Sequence, residues 1–211
     1  MRVVTGEAKG KKLKSPKTVG TRPIMDRVKT ALFDILSDEV TDARFLDLFA
    51  GTGGVGIEAL SRGAQRATFI EMNPKIVRLV RENLQITGLT ERAEALQGDS
   101  FKFLLAHQAQ PQQPSTSQGY EKRAYFPAAP AGQQRVYDII YVAPPQYEEM
   151  AARALGLLES STLWTDDTLI IVQIHPKERP GVAAVASQNF VLTDERRYGS
   201  TLLMFYRRPT E

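Results

Sequence analysis

Two carboxylates flanking a glycine-rich loop carry the clearest chemistry in this sequence. Asp47 stands in the apolar stretch Phe45-Leu46-Asp47-Leu48-Phe49, and Ala50-Gly51-Thr52-Gly53-Gly54-Val55-Gly56 follows, with four glycines in six residues. Glycine has no Cβ and tolerates positive φ, so a ligand can lie directly against such a loop. The helix beyond it adds unpaired N–H groups and a partial positive charge. Gly51, Gly53 and Gly56 fit G-x-G-x-x-G, whereas the Gly-Lys-Ser/Thr ending of a phosphate-gripping P-loop is missing. Asp47 would repel a pyrophosphate and attract an amino group or a bound water. Glu71 ends Ala67-Thr68-Phe69-Ile70-Glu71, roughly 20 residues beyond the loop, where an acid takes ribose hydroxyls. One acid before the glycines and one after the second strand suit a nucleoside that carries an amino acid, S-adenosylmethionine. A dinucleotide site and a tight packing turn are the competing readings.

These groups need an alternating α/β frame to hold them. Residues 24–36 place Val28, Ala31, Leu32, Ile35 and Leu36 in a helical stripe. After the first strand, the loop and a helix to Leu60 comes the strand at 67–71. A helix then starts near Pro74, with Ile76, Val77, Val80, Leu84 and Ile86 on its apolar face and Gly88 as its stop. A short strand at Ala93–Gln97 leads through Gly98-Asp99-Ser100 into a helix opened by Phe101. Val136–Val142 reads as a buried parallel strand and is followed by Ala143-Pro144-Pro145-Gln146-Tyr147. A helix at 147–158, a strand at 168–174, and a hairpin of 190–198 with 201–207 around Gly199-Ser200 complete the pattern. Gln108 to Arg135, rich in Gln, Pro, Ala and Ser, interrupts it as an expected mobile insertion, in which Tyr120, Tyr125 and Phe126 could contact RNA or pack locally.

Composition narrows the classes. The 211 residues allow one full-sized domain with a small appendage. With no cysteine and only His107 and His175, neither a disulfide framework nor a metal cluster is expected. No apolar run approaches membrane-spanning length and no signal-peptide core is evident, so a cytoplasmic protein without membrane contact is expected. Charge is uneven: residues 1–30 hold nine Lys or Arg against Glu7 and Asp26, a net of +7, while the remainder carries −4. A basic arm beside a nearly neutral body points to a polyanion, with RNA the leading partner and a merely solvated arm the alternative.

The chain resembles, over nearly its whole length outside 108–135, the bacterial family that methylates the exocyclic N2 of a guanine in 16S ribosomal RNA of the small subunit. The resemblance is carried by Met1-Arg2-Val3-Val4-Thr5-Gly6, Lys9-Gly10-Lys11-Lys12-Leu13, Thr21-Arg22-Pro23-Ile24-Met25-Asp26-Arg27-Val28-Lys29 and Ala31-Leu32-Phe33. It continues in Leu46 through Ala59, Ser61-Arg62-Gly63-Ala64 and Tyr198-Gly199-Ser200-Thr201. It implies a Rossmann-like α/β methyltransferase with a mostly parallel seven-stranded sheet and a C-terminal antiparallel hairpin. Residues 1–22 would form a basic extension, a β-hairpin, and 23–211 the methyltransferase domain. The expected substrate is 16S rRNA in the small ribosomal subunit or its assembly intermediate, and a monomer is expected.

By position, the resemblance places S-adenosylmethionine against Asp47, Phe49, Ala50, Gly51, Thr52, Gly53 and Gly56 on the methionine side. It assigns Glu71 to the ribose, and Met72, Asp99 and Ser100 to the adenine. Met72 as core, Asp99 as a helix N-cap and Arg27 as a surface ion pair are the alternatives. Arg22, Pro23 and Arg27 would close over cofactor and substrate, and Arg2, Lys9, Lys11, Lys12, Arg22 and Arg27 would hold RNA phosphates.

The catalytic motif departs from the pattern. Amino-methylating enzymes of this kind carry Asp or Asn, then Pro-Pro, then Tyr or Phe: the polar side chain and a backbone carbonyl accept from the target amino group, and the ring stacks on the base. Here Ala143 has no acceptor, Gln146 stands at the aromatic position and Tyr147 follows one residue late. Three readings follow. The site works through the Pro144 carbonyl beside Pro145, with Gln146 as acceptor and Tyr147 stacking; or the chain binds cofactor and RNA with little activity; or its substrate is shifted. The intact cofactor loop favours the first, with direct transfer to a guanine flipped out of its stack. The rivals are a noncatalytic RNA-binding or assembly factor, an adenine-N6 DNA methyltransferase, and a dinucleotide oxidoreductase.

Overall fold

The computed structural model describes residues 1–16, 25–109, 135–146 and 149–209. Arg22, Pro23, Tyr147 and the aromatics Tyr120, Tyr125 and Phe126 lie outside them, as does most of the expected insertion.

The chain alternates α1 (Asp26–Leu36), β1 (Arg44–Asp47), α2 (Gly54–Ser61), β2 (Arg66–Glu71), α3 (Pro74–Thr87), β3 (Ala93–Gln97), α4 (Ser100–Ala106), β4 (Ile139–Val142), α5 (Met150–Leu158), β5 (Leu169–Ile174), α6 (Arg179–Ala183), β6 (Val191–Tyr198) and β7 (Thr201–Arg207). The seven strands lie in the order β3-β2-β1-β4-β5-β7-β6. β1 to β5 are parallel, and β7 runs antiparallel to both β5 and β6. Strand order reverses between β1 and β4, and in such sheets the crevice at the carboxyl ends of the strands at that switch point receives the ligand.

Alternation along the buried strands divides the core. Phe45, Ala67, Phe69, Ile139, Tyr141 and Ile171 pack with α1, α2 and α3 on one face. Leu46, Ile70, Ile140, Val142, Ile170 and Val172 pack with α4, α5 and α6 on the other. Each fully buried Leu, Ile or Phe contributes roughly 1.5–3 kcal/mol by leaving water. Helix ends follow local chemistry. Asn73 caps α3 by accepting from the Lys75 N–H at 2.9 Å, Pro74 takes the first turn, and Gly88 ends the helix at φ +77°.

Several elements are shorter than the sequence suggests. β4 begins at Ile139, α5 at Met150 and β6 at Val191. On α1 and α3 the stripes are rotated: Ile35 and Ile86 are exposed, while Phe33 and Asn83 are buried. Asn83 is inside because its side chain is fully bonded. Its Nδ2 donates to the Thr52 carbonyl at 3.0 Å and to the Lys14 carbonyl at 3.1 Å, and its Oδ1 accepts from the Lys14 N–H at 2.7 Å.

Residues 1–13 pair with themselves, the Val3 N–H donating to Lys11 and the Leu13 N–H to Met1, and Arg2 bridges Lys12. This segment is anchored to the body. Val3, Ala8 and Leu13 join the core on the α1–α3 side. The Glu58 carboxylate accepts from the Val4 and Thr5 N–H groups at 2.8 and 2.9 Å. Lys29 counts toward the basic character of the first thirty residues but is fully buried, 2.9 Å from Glu58 and donating to the Arg2 carbonyl at 2.6 Å. It is a fastener, and the surface charge facing a polyanion is smaller by one.

Candidate functional site

The glycine loop leaves β1 at the switch point and turns under a cavity of about 510 Å³. Its glycines serve different ends. Gly51, at φ +50°, has open space where a Cβ would stand, so its bare edge can face a ligand. Gly53 and Gly56 do not line the cavity. Gly53 is the left-handed residue that starts α2, at φ +81°, packed against Ile57 and Val80. A Cβ on Gly56 would sit 2.4 Å from the Phe69 ring, so this glycine lets α2 approach β2. Gly53 thus serves the backbone turn and Gly56 the helix–sheet contact.

Asp47 lies on the cavity floor and is 1% exposed. Its Oδ1 has no hydrogen-bond partner among the described residues. Burial pushes its pKa up to about 7; backbone bonds from Gly56 and Phe49 pull it down, and the Glu71 charge adds to the rise. A buried, orphaned carboxylate oxygen is expensive unless a donor completes it, and a cation there would restore its ionised form. Glu71 stands across the loop with its position fixed by two backbone amides. Its Oε2 accepts from Gly51 at 3.1 Å and its Oε1 from Asn73 at 2.8 Å, leaving each oxygen further acceptor capacity.

Beyond Glu71 the wall includes Met72, Phe49 and Phe101. Met72 is 68% exposed on the cavity rim, so the reading of it as core fails. The rings of Phe49 and Phe101 meet edge to face with centroids 5.8 Å apart, and the Arg153 guanidinium stacks 4.0 Å over Phe101. Asp99 caps α4, accepting from the Phe101 and Lys102 N–H groups at 2.7 and 3.1 Å, and also borders the cavity. Ser100 is wall rather than ligand-ready donor, because its hydroxyl is spent on the Leu48 carbonyl.

The opposite wall is the end of β4. Ala143, Pro144, Pro145 and Gln146 all border the same cavity, together with Ala50 and Thr52. Tyr141 and Gln173, which the sequence pattern marks as strand core, border it too, and the Tyr141 hydroxyl donates to Gln173 Oε1 at 2.6 Å. The available signal was Gln173 itself, the sole polar side chain in Leu-Ile-Ile-Val-Gln-Ile at the carboxyl end of a parallel strand.

The residues therefore fit S-adenosylmethionine: an orphaned buried acid for an ammonium, a fixed acid for a ribose diol, an aromatic slot for an adenine, and a proline-lined end for a second base. A larger, open depression of about 800 Å³ near Asp34 and Arg62 lacks such a donor set. There Arg62 is engaged by Glu58 at 3.2 Å and by the Phe33 ring. Among the described residues no group of three or more His, Cys, Asp or Glu could hold a metal ion, and no helix is long and apolar enough to cross a membrane.

Of the basic positions, Arg2, Lys9, Lys11 and Lys12 are exposed on the N-terminal segment and Arg27 on α1. Arg2 lies 3.5 Å from Asp26, Lys11 Nζ donates to the Thr87 carbonyl at 2.9 Å, and Lys9, Lys12 and Arg27 face solvent.

The sequence matches the family model described as Conserved hypothetical protein 95 over residues 1–116 and 115–207. It is 30% identical to Ribosomal RNA small subunit methyltransferase D of Escherichia coli K12, over 100% of this chain and 91% of that protein. It is 29% identical to the Haemophilus influenzae protein of the same name, over 98% and 93%. The fold superposes on the solved structure of "Putative methyltransferase yhhF" from Escherichia coli with a TM-score of 0.74 and 28% identity, covering 100% of this chain and 99% of the other.

Proposed function

Since the chain belongs to the Conserved hypothetical protein 95 family, with the small-subunit ribosomal RNA methyltransferases D among its relatives, we propose that it methylates the exocyclic N2 of a guanine in 16S rRNA, using S-adenosylmethionine. The observation that carries this reading is the single cavity that joins the orphaned Asp47 oxygen, the held Glu71 carboxylate and the Pro144-Pro145 strand end.

S-adenosylmethionine supplies a methyl group on a sulfonium, activated enough to react with a neutral amine. Asp47 would accept the ammonium of its amino-acid end, and Glu71 the two ribose hydroxyls. Phe101 and Met72 would flank the adenine, and Asp99 would meet its amino group. The Pro144 carbonyl would accept from the target amine, so that its nitrogen is aligned before reaction. Such alignment accounts for a large share of the rate enhancement, because attack by a neutral amine requires no prior deprotonation. The arm bearing Arg2, Lys9, Lys11 and Lys12 would grip phosphates, and RNA shape would supply selectivity.

Ala143 favours a second reading, a factor that keeps cofactor and RNA binding without transfer. Nucleoside analysis of 16S rRNA from cells lacking the gene separates them. Loss of one N2-methylguanine, restored by the wild-type gene and not by a cofactor-binding variant, supports the enzyme; unchanged modification refutes it.

A further inference from the structure

The cavity lacks a side-chain acceptor at Ala143, yet it has one on the adjacent strand. Val142 of β4 pairs with Val172 of β5, so residues 143 and 173 follow at the same level of two parallel neighbours. Ala143 and Gln173 both border the cavity with Pro144. Gln173 is the one residue of β5 that is not buried. Its Oε1 is pinned by the Tyr141 hydroxyl at 2.6 Å. Tyr141 is itself immobilised, 2% exposed with its ring 6.4 Å from that of Phe45. Burial, and then the Asp47 charge, raise the Tyr141 pKa well above its ordinary value, so the phenol remains a neutral donor. An amide oxygen has two lone pairs, and Tyr141 occupies one.

We propose that Gln173, oriented by Tyr141, is the amino-group acceptor of this site, taking one N–H of the target base while the Pro144 carbonyl takes the other. The proposal rests on the methyltransferase reading above and names the residue that completes it. Gln173 touches the substrate; Tyr141 is a positioning residue. As the nitrogen–carbon bond forms, the carbon–sulfur bond breaks and its electron pair leaves with sulfur as a neutral thioether. The charge then rests on the methylated nitrogen, which loses its proton to water, because an amide oxygen is too weak a base to keep it. The target class is an exocyclic amine of a nucleobase.

The test compares Gln173→Met, Gln173→Glu, Tyr141→Phe and the double variant Gln173→Met/Ala143→Asn. Methyl transfer to unmodified small subunits is followed, together with S-adenosylhomocysteine affinity and thermal midpoint. Gln173→Met should lower kcat about 10- to 100-fold, the scale of a misaligned reactant, with cofactor affinity within about twofold of wild type. Tyr141→Phe should show a smaller loss. Gln173→Glu, which keeps an acceptor, and the restored acceptor in the double variant should each recover most of the rate. Wild-type kcat in Gln173→Met overturns the assignment and leaves the methyltransferase reading standing. A loss that tracks weakened cofactor binding, or that Ala143→Asn fails to rescue, overturns it in favour of a structural role. Absence of transfer by the wild type, with cofactor bound, overturns both.

Discussion

Replacing Asp47 with asparagine should strengthen the ligand-free protein and weaken its hold on the cofactor. The folded protein raises the Asp47 pKa from the ordinary 3.8 to about 7, with burial as the main cause. The folded state therefore keeps this proton longer than the unfolded chain does, and stability falls as pH rises from about 4 to about 7. At 1.36 kcal/mol per pH unit, the penalty above pH 7 is at most about 4 kcal/mol. Asparagine removes that slope: relative to wild type, the variant gains several degrees of thermal midpoint at pH 8 and none near pH 4, at about 2–4 °C per kcal/mol for a chain of this size. Binding runs the other way. An ammonium requires the ionised carboxylate, so the wild type should bind S-adenosylhomocysteine about tenfold more weakly at pH 6 than at pH 8. The Asp47→Asn variant should flatten that dependence and lose about 30-fold or more in affinity at pH 8, the scale of breaking a buried charge pair. Differential scanning calorimetry and titration calorimetry across this range give both quantities. A lowered midpoint at pH 8, or a wild-type affinity flat between pH 6 and 8, would show that Asp47 is neither destabilising when ionised nor the partner of the ammonium.

Four other substitutions probe the packing and the charges. Gly56→Ala places a Cβ 2.4 Å from the Phe69 ring and should cost about 1–3 kcal/mol in urea unfolding, the range of core overpacking. Glu58→Gln leaves Lys29 buried without its 2.9 Å counter-ion and should cost about 3–5 kcal/mol, seen in the same assay, with early proteolysis of the N-terminal segment. Lys9→Ala and Lys12→Ala should leave S-adenosylhomocysteine affinity unchanged while weakening subunit binding, each lowering the slope of log affinity against log salt by about 1 in filter binding.

The frame was legible where one local signal decides each element. Pro74 and Gly88 bracket α3, Asp47 and Glu71 end neighbouring strands, and the apolar alternation of β4 and β5 marks them as buried. Other features depend on partners distant in sequence. Lys29 reads as a surface cation because its counter-ion is Glu58, on an otherwise apolar helix whose packing no local pattern reveals. Gly53 and Gly56 share motif spacing with Gly51, and only the neighbouring Val80 and Phe69 side chains separate packing glycines from a ligand-facing one. Asn83 reads as the polar side of a helix because its bonds run to Thr52 and Lys14. Gln173 and Tyr141 meet only after β4 and β5 pair, so the motif at 143–147 appears poorer in acceptors than the cavity is.

Methyl transfer from labelled S-adenosylmethionine to small ribosomal subunits lacking the modification, followed by identification of the labelled nucleoside, decides whether this chain is a guanine-N2 methyltransferase. Label should enter N2-methylguanine alone and be lost with Asp47→Asn under subsaturating cofactor. Label in another nucleoside, or none at a cofactor concentration that fills the site, would contradict that assignment.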